Sequence, residues 1–269
     1  MSNLSKRVIA GIVGIPVLIF ASYKGGIYLM VLSLILNSIA LWEFYSMFEK
    51  KDLFPMKILT VITADIILIL PAGFPGFANS FYLFFYYILM SALILSSAEI
   101  FRKEKRSPLN PAVSIFGIVY ITLPFIMINL LQSLSFQMIL VFMFILIWTC
   151  DTAAYFGGRF FGKRKLSEIS PNKTIEGSIT GFVFTIIVSL IMHFIFPEEI
   201  KLTDAVVIGI LTGIFSQAGD LFESLIKRYC GVKDSSQIIP GHGGILDRFD
   251  SLLFVTPAVV IYFIAQKFI

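Results

Sequence analysis

The side chains best suited to chemistry gather in two stretches of the chain. Ser216, Asp220, Glu223, Ser224 and Lys227 recur at i, i+4, i+7, i+8 and i+11, which lays them along one helical face. A polar loop follows with Arg228, Lys233 and Asp234, then Pro240-Gly241-His242-Gly243-Gly244, and runs into Asp247, Arg248 and Asp250. Asp247 and Asp250, three residues apart, are neighbours at the start of the next helix. Carboxylates crowded in this way repel one another unless a cation sits among them. Mg²⁺ accepts such hard oxygens and completes its shell with substrate phosphates, so Asp220, Glu223, Asp247 and Asp250 stand as an unranked set of candidate ligands. Gly243 and Gly244 would let backbone reach a phosphate, while Lys227, Arg228, Lys233 and Arg248 supply positive charge. The competing reading is a set of Asp–Lys pairs that only locks helices together; it leaves the glycines unexplained. His242 reads as a hydrogen-bonding partner of a phosphate or a loop carbonyl, with general-base work as the alternative.

The second stretch begins at Asp151 and continues through Gly157, Gly158, Arg159 and Gly162 to Ser170-Pro-Asn-Lys173-Thr174-Ile-Glu176-Gly177. Three glycines allow close approach of backbone to a ligand. Ser170 or Thr174 can cap the helix that follows, whose first N–H groups then form an anion site with Lys173 beside it. An ordinary capped helix behind a basic loop is the plainer alternative.

These stretches need elements to hold them, and composition says of what kind. Of the 269 residues 57% are hydrophobic and 14% charged, against about 45–50% and about 25% in soluble domains. Mean hydropathy is +0.89. A soluble globular domain, a disordered chain and a disulfide scaffold are excluded. Apolar runs lie at Val8–Tyr23, Gly26–Phe48, Ile58–Phe74, Phe81–Phe101, Ala112–Leu131, Gln137–Phe156, Gly177–Phe196, Ala205–Ile226 and Ser251–Phe268. Spanning helices need roughly 20 apolar residues, and lipid requires the backbone to bond within itself. The expected fold is therefore an all-α polytopic transmembrane protein of about nine spanning helices with cytoplasmic polar loops. Residues 1–135 would hold helices one to five, and residues 136–269 the catalytic helices six to nine with both polar loops.

Alternating through nine spans leaves all 21 Lys and Arg residues except Lys24, Lys201 and Lys267 on one side. By the positive-inside rule that side is cytoplasmic, with the N-terminus on it. A cleaved signal peptide ending near Phe20-Ala21-Ser22 competes for the first run, although Gly14-Ile15-Pro16 and the immediate second run favour a retained helix. Cys150 and Cys230 form no CxxC pattern and read as buried thiols. Asp65 inside the third run, and Glu43 and Glu99 near run ends, are expensive in lipid, and no partner for any of them is legible in the sequence.

Ser224-Leu-Ile-Lys227-Arg228, Lys233-Asp234 and Pro240-Gly-His242-Gly243-Gly244-Ile-Leu-Asp247-Arg248-Phe-Asp250 together resemble the signature of the CDP-diacylglycerol synthases, the phosphatidate cytidylyltransferases. The run from Asp151 and the Ser170–Gly177 block are similar to a second motif of that family, with Asn172 where a Lys is common. The resemblance covers the C-terminal half; the first five runs match only in hydropathy. It implies a bacterial-type inner-membrane enzyme that joins CTP to phosphatidic acid, giving CDP-diacylglycerol and pyrophosphate with Mg²⁺. A second cation beside the first suits such displacements. Asp220, Asp247, Lys227 and Arg248 would be catalytic. Asp151, Lys173, Thr174, Glu176, Ser224, Arg228, Lys233, Asp234, His242, Gly243 and Gly244 would bind substrate. The bilayer is an expected partner and nucleic acid is not; a homodimer is left open. A CTP-dependent polyprenol kinase is the nearest rival. A cation or lipid transporter using Asp65, Asp151, Asp220 and Glu223 is the more distant one.

Overall fold

The computed structural model describes residues 3–73, 81–239 and 243–267, and all of the named elements among them are helical. In chain order they are α1 (Asn3–Lys24), α2 (Gly26–Phe48), α3 (Lys57–Gly73), α4 (Phe81–Ile100), α5 (Leu109–Gly117) and α6 (Leu123–Leu134). They continue with α7 (Ile139–Phe161), α8 (Ile175–Ile195), α9 (Leu202–Tyr229) and α10 (Leu246–Gln266). Among the described residues six helical stretches are long and apolar enough to cross a bilayer: Gly26–Lys51, Leu109–Leu134, Ile139–Phe161, Ile175–Ile195, Leu202–Tyr229 and Leu246–Gln266. Gly11–Lys24 and Phe85–Ile100 are shorter apolar helices. The chain is a helical membrane protein.

The helices fall into two compact units. The first comprises Met1–Leu130 and Tyr229–Arg248, the second Leu131–Arg228 and Phe249–Ile269. The segment Tyr229–Arg248 thus clusters with the N-terminal helices.

In the first unit α2 is the central rod. Leu41, Phe44, Tyr45 and Met47 are fully buried, and the Tyr45 hydroxyl donates to the Ser114 carbonyl at 2.8 Å. Gly117 stands where any Cβ would lie 2.7 Å from the Tyr45 ring, so α5 can pass close over it. Between α5 and α6 the helix widens into a π turn, Ile118–Thr122, just before Pro124. A proline has no N–H and its ring crowds the carbonyl one turn back, and a wider turn accommodates both without breaking the rod. The costly carboxylates have partners after all. Asp65 of α3 accepts from Asn37 Nδ2 at 2.8 Å and Ser38 Oγ at 2.7 Å, both on α2. Glu99 accepts from the Ser107 amide at 2.9 Å and Asn110 Nδ2 at 2.7 Å. Burial pushes the Cys230 thiol up, with Lys51 and Lys50 pulling partly against it.

In the second unit small residues let helices touch, as they do where lipid supplies no hydrophobic drive between them. A Cβ at Gly177 of α8 would lie 2.6 Å from the Ala154 carbonyl oxygen and 2.9 Å from the Gly158 backbone of α7. Gly181 meets the Cys150 carbonyl in the same way, and Gly157 meets Thr180. Farther along α8, Ser189 Oγ donates to the Ala205 carbonyl of α9 at 2.5 Å. His193 closes the turn after α8 against the Ile200 carbonyl at 2.7 Å. Cys150 is free and fully buried.

Candidate active site

In the second unit the loop between α7 and α8 is pinned at both ends. Thr174, extended at φ −120° and ψ 154°, caps α8 by accepting from the Gly177 amide at 3.1 Å. Of the two residues able to cap this helix, Thr174 does so. Glu176, in the first turn, accepts from the Lys163 and Arg164 amides at 3.0 and 3.2 Å and from Arg164 Nε at 3.2 Å. Its carboxylate folds the basic loop back onto the helix. The Ile175 amide is taken by the Arg164 carbonyl at 2.9 Å. These bonds correct the expectation of an open amide nest at this helix end, because the loop itself satisfies the Ile175 and Gly177 donors. Gly157 and Gly158 likewise serve helix contact: the first faces Thr180 and the second Gly177.

A cavity of about 490 Å³ opens at this end of the unit, lined among others by Asp151, Gly158, Arg159, Asn172, Lys173, Thr174, Gln217 and Asp220. Lys173 Nζ donates to Asp220 Oδ2, each side chain about one-third exposed. This contact brings one residue from each sequence stretch together within the second unit. On α9, Gly219 allows α10 to approach so closely that a Cβ there would lie 3.1 Å from the Ser251 Cα. Ser251 Oγ donates to the Ser216 carbonyl at 3.0 Å. That seam places the Asp250 carboxyl within electrostatic reach of Asp220, Asp151 and Lys227. Asp250 Oδ1 also accepts from the Ser251 amide at 2.6 Å. Glu223, wholly buried, pairs with Lys227 at 2.5 Å one turn on. Their contact lies within one helix, so it joins no two helices. Ser224 is half-buried on the same helix, and Arg228 is exposed at its end. A second cavity, about 550 Å³, lies along α7 and α8 between Trp148, Phe156, Phe160 and Phe184 and is almost wholly apolar.

In the first unit the loop after α9 carries the remaining candidates. Asp247 Oδ2 accepts from the Ser235 amide at 2.9 Å, Ser235 Oγ at 2.8 Å and the Gly244 amide at 2.8 Å. Gly243 has φ +81°, and a Cβ there would lie 2.6 Å from that same Asp247 oxygen. A Cβ at Gly244 would lie 2.6 Å from the Glu43 carboxyl carbon. Glycine is therefore required at both positions by protein carboxylates, a reason other than the bound phosphate inferred from sequence. Lys233, Asp234 and Arg248 are exposed. His242 lies outside the described residues. Glu43 itself is the residue that sequence reasoning noticed without placing, since its partners lie far along the chain.

The metal fit rests on donor chemistry. Among the described residues no three His, Cys, Asp or Glu form a ready-made cage. Mg²⁺ needs only one or two protein carboxylates when phosphates supply the rest. Asp220 and Asp250 are hard oxygen donors within each other's field, and Lys173 already holds positive charge against Asp220. Such donors would suit that ion beside a substrate's phosphates.

Residues 5–265 match the family model described as the Cytidylyltransferase family. Over 258 residues, 96% of each chain, the sequence is 39% identical to a protein of Staphylococcus saprophyticus named phosphatidate cytidylyltransferase. Proteins of the same name from Staphylococcus haemolyticus and Staphylococcus aureus are 36% and 37% identical over the same share of both chains.

Proposed function

This chain belongs to the cytidylyltransferase family, and on that premise we propose how its own residues carry the cytidylyl group of CTP to phosphatidate, giving CDP-diacylglycerol and pyrophosphate. The observation that carries the site assignment is the Lys173–Asp220 contact inside the 490 Å³ cavity. It sets a cation for phosphate next to a carboxylate for metal, at the polar end of membrane helices.

The phosphate oxygen of phosphatidate attacks the α-phosphorus of CTP, and pyrophosphate leaves in line. A phosphate dianion is already a competent nucleophile, so the protein need not supply a base; its work is orientation and neutralisation of charge. Lys173, with Arg159 at the cavity wall, takes the nucleotide phosphates. Asp220 and Asp250, with Asp247 as a further candidate, would hold Mg²⁺, which when bound neutralises charge on the triphosphate. Thr174 and Glu176 keep the loop in place around Lys173. Arg228, Lys233 and Arg248 are exposed cations suited to an acceptor that is itself anionic. The site is cytoplasmic in this reading, in a bacterial-type cell membrane crossed nine times.

Radiolabelled CTP tests the reaction against that of a lipid kinase. Label at the α-phosphorus should enter the organic-soluble product, and γ-label should leave entirely as water-soluble pyrophosphate. Phosphatidate should stimulate the transfer, while diacylglycerol or a polyprenol should not. Lipid bearing γ-label would overturn cytidylyl transfer.

A further inference from the structure

We propose that Glu43, a residue of the N-terminal helix α2, is a positioning residue that sets the start of α10 and with it Asp247. The proposal rests on the reading of Asp247 as part of the active site. Glu43 is 1% exposed, and four donor groups lie within hydrogen-bond distance of its two oxygens, one of them the Ser235 hydroxyl whose single proton is shared with Asp247. Oε1 takes Ser236 Oγ at 2.6 Å and the Ile245 amide at 3.0 Å. Oε2 takes Ser235 Oγ at 3.0 Å and the Leu246 amide at 2.9 Å. The Leu246 amide opens the first turn of α10, whose N–H groups have no partner within the helix, and the Ile245 amide immediately precedes it. A carboxylate there is favoured by the helix dipole and by charge-assisted bonds.

The clamp reaches Asp247 through two shared groups. Ser235 Oγ stands between the carboxylates, 3.0 Å from Glu43 and 2.8 Å from Asp247. Gly244 has its amide on Asp247 and leaves, for want of a Cβ, the space that the Glu43 carboxyl occupies. Rotation or loss of the Glu43 carboxylate would therefore release both the helix start and the serine that fixes Asp247. A carboxamide cannot replace it, since it offers one acceptor oxygen, and its NH₂ would face an N–H.

The test uses the full chain in nanodiscs as wild type, Glu43→Gln, Glu43→Asp, Ser236→Ala and Asp247→Asn. Amide hydrogen exchange at Gly244, Ile245 and Leu246 is read without Mg²⁺, and cytidylyl transfer is titrated with Mg²⁺. Glu43→Gln should speed exchange at these amides by at least about tenfold and raise the half-saturating Mg²⁺ about tenfold, with the phosphatidate KM unchanged. Glu43→Asp should recover part of both losses. Wild-type exchange in Glu43→Gln overturns the clamp; faster exchange with an unchanged Mg²⁺ midpoint overturns the positioning role. If Glu43→Gln fails to fold, exchange rises throughout α8 as well, and Ser236→Ala decides. A Mg²⁺ midpoint raised about threefold in that variant supports the proposal, and an unchanged one overturns it. Asp247→Asn keeps the two failures apart: full turnover there removes Asp247 from the site, while exchange at the three amides still judges Glu43.

Discussion

Lys173 and Asp220 pair directly in the cavity wall, and in the proposed mechanism a phosphate that draws Lys173 away would uncover the carboxylate for a divalent ion. Each residue then has its own kinetic mark. Lys173→Gln should raise the KM for CTP by about tenfold, the loss of one charge-assisted contact, and an unchanged KM removes Lys173 from the nucleotide site. Asp220→Asn should cut turnover by at least about 10²-fold, as when an electrostatic stabiliser is lost; normal turnover with normal Mg²⁺ dependence refutes its role. At this scale the sequence was legible wherever spacing alone brings residues together. Glu223 and Lys227, four apart on one helix, are such a pair. The Lys173–Asp220 pair, 47 residues apart, was legible only through the two motifs that contain it. The Glu43 network was not legible, because a carboxylate at a helix end does not declare which distant amides it will meet.

At the scale of elements, hydropathy places the rods and says little about how they touch. The run Gly26–Phe48 coincides with α2, while α9 and α10 extend past their apolar runs to Tyr229 and back to Leu246. Helical hydrogen bonding does not stop where the hydrocarbon does, so the polar functional residues ride on helix ends. The π turn before Pro124 has no hydropathic signature, because a wider turn of Ile, Val and Tyr is as apolar as an ordinary one. Nor does hydropathy reveal the seam of α7 and α8, since a glycine that admits a ligand and a glycine that admits a helix look alike. The seam makes a prediction of its own. Gly177→Ala drives a methyl into backbone atoms of Ala154 and Gly158, so it should cost about 1–3 kcal/mol and lower the unfolding temperature in detergent. A variant as stable as the parent would show that the two helices sit farther apart.

For the whole molecule the readable quantity is the distribution of charge. With nine spans, Lys24, Lys201 and Lys267 would be the only basic residues opposite the polar loops, and the proposed cytoplasmic orientation rests on that bias. Single cysteines at Glu168, Asp234 and Glu198, all exposed, can test it in a chain lacking Cys150 and Cys230. The first two should label from one side of sealed vesicles and the third from the other. Labelling of all three from the same side refutes the nine-span topology. Family membership was legible from the C-terminal motifs, and the match over residues 5–265 extends it to helices that sequence reading knew only as apolar.

The Glu43 contacts also impose an order in time. Its serine partners lie 192 and 193 residues farther along the chain. A ribosome adding about 5–20 residues per second therefore emits them roughly 10–40 s after Glu43 itself. Throughout that interval the Glu43 carboxyl has none of its four partners yet synthesised. The start of α10 acquires its brace only after some two hundred further residues, as the 192- and 193-residue separations require. A nascent chain therefore cannot brace this helix start until Leu246 has been added.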